Sequence, residues 1–173
     1  MIRPTAEVIG RYTSSGKIGL FGTQGTVLSE SYLIEIGKVS PDVQVVQEAC
    51  PMWVPLIEHG ELQGQGTDYF VRQHIDRLYQ SGENIDTILL ACTHYPLLLP
   101  VIEQIVDGRA KIISQGPIVA ESLADYLIRH PEIKNKCTTN GASHFLTTDS
   151  AVKFEELGSL FFGAGLQAEQ IHL

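Results

Sequence analysis

Apolar positions along this chain alternate between two rhythms. The run KIGLFG at 17–22 is short, apolar and closed by glycine; GTQGT follows it and leads into an amphipathic segment at 27–36. That order predicts strand, glycine-rich turn, helix. The breaker pair Ser40-Pro41 precedes VQVVQEA at 43–49, whose β-branched residues predict a second strand. Over 67–79 the residues Tyr69, Phe70, His74, Ile75, Leu78 and Tyr79 fall near one face at helical spacing. IDTILLAC at 85–92 is apolar on both parities from Ile88 onward, the pattern of a strand covered on both faces.

The alternation continues. A helix is expected after Pro96 as far as Val106, then a strand at AKII, 110–113. Pro117 suits a first helical position, and Ile118, Val119, Leu123, Tyr126 and Leu127 line one face of a helix ending near His130. PEIKNKCTTNGAS reads as a loop with its turn at 138–141; HFLTT is a short strand and 152–162 a last amphipathic helix. Strands alternating with helices imply an α/β fold built on a mainly parallel sheet.

With 43% hydrophobic and 18% charged residues, the composition is that of a folded globular protein. The net charge of −8, without clustered Lys and Arg, excludes the basic footprint of a nucleic-acid binder. Three cysteines, Cys50, Cys92 and Cys137, are too few and too irregular for a disulfide framework or a zinc module, so a reducing, cytoplasmic setting is expected. The opening MIRPTAEVIGRYTSSGK has no apolar signal core, and no run approaches the roughly 18 apolar residues of a membrane span.

The candidate chemistry sits in LLACTHYPLLLP at 89–100, where a cysteine, a threonine and a histidine are adjacent in apolar surroundings. In parallel α/β sheets ligands bind beyond the carboxyl ends of the strands. Cys92 falls at such an end, with Thr93 and His94 in the turn that opens the next helix; Gly22 and Thr23 fall at the equivalent end of the first strand. Backbone N–H groups and the helix dipole stabilise anions there, so a lowered Cys92 pKa is expected. A thiol in this place can be a nucleophile, a metal ligand, a proton acceptor or simply a buried structural group. One Cys-x-His pair is too little for zinc, and no metal site is expected. Glu58, at the end of the apolar stretch 54–57, is either a helix-surface residue or a carboxylate set against His94. GTQGT lacks the lysine of a phosphate loop; it is either a capped turn or a carboxylate-holding one.

Taken together, LLACTHYPLL, GLFGTQGT and EACPMWVPLIEHG resemble the second half of a bacterial glutamate racemase, of the aspartate/glutamate racemase superfamily. The likeness continues through ISQGP, HFLTTD and FEELGSLFFG. It implies a cofactor-independent enzyme that interconverts L- and D-glutamate for peptidoglycan synthesis, using two cysteines on opposite faces of the substrate. By that resemblance Cys92 is the second of these cysteines, Thr93 and His94 bind substrate, and His94 with Glu58 assists Cys92.

The family's F-D-S-G-x-G-G segment, with its aspartate, and its C-N-T-A segment, with the first cysteine, do not occur in these residues. Cys50 and Cys137 lie in other contexts and are not substitutes. The resemblance thus implies a three-layer parallel-sheet domain at 7–112, and at 113–173 an α/β tail belonging to an incomplete first domain. An isolated chain of this kind is expected to be inactive, and to self-associate or be completed by a missing N-terminal segment. The competing readings are a non-catalytic glutamate-binding module, a half-enzyme completed by another chain, and an aspartate racemase-like enzyme.

Overall fold

The computed structural model describes residues 2–139, 141, 143–163 and 165–173. The chain divides into two compact units, Met1–Asp125 and Tyr126–Leu173, with the division falling inside one helix.

The first unit is built on four parallel strands: β1 (Lys17–Gly22), β2 (Gln44–Ala49), β3 (Thr87–Leu90) and β4 (Lys111–Ser114), in the order β2-β1-β3-β4. Around them run α1 (Ile2–Val8), α2 (Gln24–Leu28), α3 (Ser31–Val39), α4 (Trp53–Glu58), α5 (Gln65–Ser81), α6 (Leu99–Val106) and the start of α7 (Gln115–Arg129). Side chains alternate across each strand, and this sorts the core into two layers. Phe21, Ile88 and Leu90 join Trp53, Ile57, Val71, Ile75, Leu78 and Ile102 in one cluster. Ile18, Leu20 and Leu89 join Ala6, Ile9, Tyr32 and Ile36 in the other. All of β3 is buried, as its double-parity pattern requires.

At Gly19 β1 and α5 approach each other closely. A Cβ placed on it would lie 2.5 Å from Leu78 Cδ2. Only glycine lets α5 seat this close to the strand.

Several elements differ from expectation. The segment 27–36 is two helices rather than one, broken at Glu30, which takes φ 51°. Ser29 is the cause: its hydroxyl donates to the Thr26 carbonyl and accepts from the Ser31 N–H, an alternative to continuing the helical ladder. On α5 the buried face is Val71, His74, Ile75 and Leu78, while Tyr69 is 60% exposed. The helix after Pro96 opens with a 3₁₀ turn, Tyr95–Leu98, before α6. α7 starts at Gln115, so Pro117 is its third residue, still in the first turn where its missing N–H costs nothing.

The second unit contains α8 (Pro131–Lys134), β5 (Phe145–Thr147), α9 (Ala151–Phe162) and β6 (Ala168–Gln170). α8 is a single turn inside the expected loop, and Asn140, in the expected turn, lies outside the described residues. β6 pairs parallel with β5, although AEQ carries no strand pattern; the pairing, not propensity, makes it a strand. Gly158 of α9 lies against Leu166, and Phe145, Phe154, Leu157, Phe161 and Phe162 border an apolar groove of about 420 Å³.

Candidate functional site

Because β1 to β4 all run the same way, their carboxyl ends share one edge of the sheet. Cys50 follows β2, Gly22 closes β1, Cys92 follows β3 and Ser114 closes β4. At this edge Cys92, Thr93, Pro96, Ser114, Gln115, Gly116 and Pro117 line a cleft of about 370 Å³. Cys92 is partly buried and Thr93 is exposed.

On the side of α4, Cys92 Sγ is 3.9 Å from His94 Nδ1, and His94 Nε2 is 3.4 Å from Glu58 Oε1. Carboxylate, imidazole and thiol therefore follow one another. The apolar residues Trp53 and Ile57 of α4 are fully buried, and this anchoring brings Glu58, the last residue of that helix, toward the 92–95 turn. A carboxylate facing Nε2 favours the tautomer with its proton there, which leaves the Nδ1 lone pair toward the thiol. Glu58 is 45% exposed, so its charge acts through solvent as well as directly.

Burial pushes the Cys92 thiol pKa up, and the backbone N–H groups of His94 and Tyr95 pull it only part of the way back. The expected lowering is not found. At a partly dry strand end, loss of hydration outweighs the donors of one short turn. Cys50 is fully buried, and burial raises its thiol well above the ordinary range; Tyr95 Oη donates to its carbonyl at 3.2 Å. Cys50 packs as a core residue. Cys137 is exposed in the second unit.

Thr23 is the N-cap of α2: its hydroxyl accepts from the Thr26 N–H at 3.4 Å and pairs with the Thr26 hydroxyl at 3.0 Å. GTQGT is thus a capped turn. Among the described residues no group of three or more His, Cys, Asp or Glu could hold a metal ion, and no helix is long and apolar enough to cross a membrane.

Sequence reasoning passed over two residues. Tyr32 Oη donates to Gln115 Oε1 at 2.6 Å, and Gln115 Nε2 donates to the Leu90 carbonyl at 3.4 Å. Both side chains are buried, and burial holds the Tyr32 phenol neutral, its pKa pushed up to about 12 despite the Gln115 hydrogen bond. A polar residue opening a helix straight after a strand was the available signal for Gln115. Nothing in the periodicity of α3 marked Tyr32 as more than core.

A cleft at the carboxyl ends of a parallel sheet, with a histidine-flanked thiol at its edge, defines an α/β protein whose candidate ligand site lies where such sheets bind ligands. Known proteins narrow this further. No protein-family model matches the chain. Curated glutamate racemases do: that of Geobacter metallireducens is 32% identical over 166 residues, 96% of this chain and 60% of the relative. That of Enterococcus faecalis is 35% identical over 177 residues, 100% of this chain and 63% of the relative. The crystal structure of a Bacillus anthracis glutamate racemase isoform matches with TM-score 0.86 at 29% identity, over 99% of this chain and 63% of that one. A Francisella tularensis glutamate racemase in complex with D-glutamate matches with TM-score 0.84 at 25% identity, covering 99% and 62%. The chain is homologous to glutamate racemases along nearly its whole length, and it spans 60–63% of the length of these two curated relatives.

Proposed function

We propose that these residues carry the Cys92 half of a cofactor-independent glutamate racemase site. The observation that carries the reading is the Glu58–His94–Cys92 succession at the mouth of the sheet-edge cleft, at 3.4 and 3.9 Å. Thr93, exposed at the same edge, and His94 supply polar contacts for the substrate.

In this reading Glu58 holds the proton on His94 Nε2, and Nδ1 accepts the proton of the Cys92 thiol. The resulting thiolate removes the Cα proton of L-glutamate, and the carbanion's charge spreads into the substrate carboxylate. Inversion then requires an acid on the opposite face to deliver a proton to Cα. A raised thiol pKa makes the thiolate, once formed, a stronger base toward Cα and the thiol a weaker acid in the reverse direction. Cys50 is buried in the core and is not that second acid. By family likeness 7–112 is the second racemase domain and 113–173 the returning part of the first. The whole enzyme supplies D-glutamate for peptidoglycan in the cytoplasm; the 173 residues alone bind glutamate without racemising it.

The test joins two readouts on the same sample. Glutamate is expected to slow alkylation of Cys92 saturably, more than aspartate does, while proton NMR in D₂O shows no inversion at Cα of either isomer. Exchange with inversion overturns the half-site reading, since a second acid is then present. Absence of protection by either glutamate isomer overturns the glutamate site itself. Stronger protection by aspartate transfers the reading to an aspartate racemase-like enzyme.

A further inference from the structure

We propose that Gln115 is a positioning residue for Cys92: its buried amide, held by Tyr32, ties down the strand end from which the thiol emerges. The proposal rests on Cys92 being the proton-transfer group, but its geometry is independent of substrate.

β3 and β4 pair in parallel as far as Leu90 and Ser114. Immediately beyond, the two strands part: β3 runs into the Cys92 turn and β4 into α7. The cleft lies in that fork, and Gln115 is one of its lining residues. The Gln115 side chain is 5% exposed, and each end of its amide has one partner, the Tyr32 hydroxyl for the oxygen and the Leu90 carbonyl for the nitrogen. Leu90 lies two residues before Cys92. The primary amide therefore spans three elements, α3, β3 and α7, with a donor and an acceptor in fixed order. Neither a hydrocarbon nor a carboxylate can do this. An apolar side chain leaves the buried Tyr32 hydroxyl unpaired, and a carboxylate has no N–H for Leu90.

The consequence falls on Cys92. While the fork is held closed, the thiol stays partly out of water, among Tyr32 of α3, Cys50 after β2, Tyr95 and His94 of its own turn, and Glu58 of α4 behind His94. Releasing the Leu90 carbonyl admits water beside the thiol and eases its ionisation. Placing a negative charge at 115 opposes ionisation.

The experiment follows the pH dependence of iodoacetamide alkylation at Cys92 in the full chain, resolved from Cys50 and Cys137 by peptide mass spectrometry. Gln115→Met is expected to move the inflection to lower pH and to raise the rate at pH 7.5 about three- to tenfold, the size of one lost hydrogen bond. Gln115→Glu, which keeps an acceptor for Tyr32 but frees Leu90 and adds a negative charge, is expected to place the inflection above that of Gln115→Met and away from the wild-type value. A role confined to stability lowers the melting temperature of both variants and leaves both inflections in place; that result overturns the proposal. If neither Gln115 variant folds, Tyr32→Phe decides: a smaller downward move supports the proposal, and an unchanged profile overturns it. Glutamate protection of wild-type Cys92, measured alongside, separates failure of this inference from failure of the glutamate reading.

Discussion

Glu58 Oε1 stands 3.4 Å from His94 Nε2, although the two lie 36 positions apart, with all of α5 and β3 between them. The distance is a product of packing. Trp53, five residues before Glu58, sits with its ring 4.8 Å from that of Tyr95, the residue after His94. Tyr95 in turn reaches back to the Cys50 carbonyl. Two aromatic side chains thus fasten the start of α4 to the turn that carries the imidazole, and the helix carries the carboxylate along.

Replacing Glu58 with Gln is expected to slow Cys92 alkylation at pH 7.5 by about two- to fivefold, since a charge-assisted contact becomes a neutral one and Glu58 is half-exposed. The rate constant from a time course resolved at Cys92 checks this. A wild-type rate would mean the carboxylate is solvated rather than engaged with His94.

Asp86 caps the turn that feeds β1. Its carboxylate accepts from Thr13 Oγ1 at 2.6 Å and from the Ser14 and Ser15 N–H groups at 2.7 Å each. Burial works to raise its pKa, but these hydrogen bonds win and lower it to about 2. A depressed carboxylate stabilises the fold above its unfolded value of about 3.9, and that contribution is lost as pH falls through the folded value. Urea midpoints measured from pH 5 to pH 2 are expected to fall for the wild type across this window. Asp86→Asn is expected to be less stable at pH 5 and to show a shallower acid decline.

Gly19→Ala is expected to destabilise the first unit by about 1–3 kcal/mol, because its new methyl would meet Leu78 Cδ2 at 2.5 Å and Ile85 Cγ2 at 3.3 Å. Thermal melts give the measurement. Pairing the change with Leu78→Ala should recover part of the loss relative to the sum of the two single changes.

The second unit leaves Phe154, Leu157, Leu160, Phe161 and Phe162 of α9 between 36% and 64% exposed. Such a continuous apolar face, beside a sheet of two three-residue strands, favours association. Sedimentation velocity is expected to show a weight-average mass that rises with concentration. A single monomeric species over the whole accessible range would remove this expectation.

The sequence by itself determined the alternation of strands and helices, the double burial of β3, and the placing of Cys92 at a strand end. Each of these follows from local periodicity and from glycine and proline at the breaks, and local physics is what a linear pattern records. It also named the three groups of the Glu58–His94–Cys92 succession, through family likeness. Tertiary structure alone decided two further matters. The raised Cys92 pKa depends on how much water the neighbouring turns exclude, a quantity no motif encodes. The Tyr32–Gln115–Leu90 tether joins residues up to 83 positions apart, and only the strand order β2-β1-β3-β4 brings them to one edge. Hydrogen bonding between distant polar groups requires their burial together, and burial is a property of the assembled layers rather than of the chain.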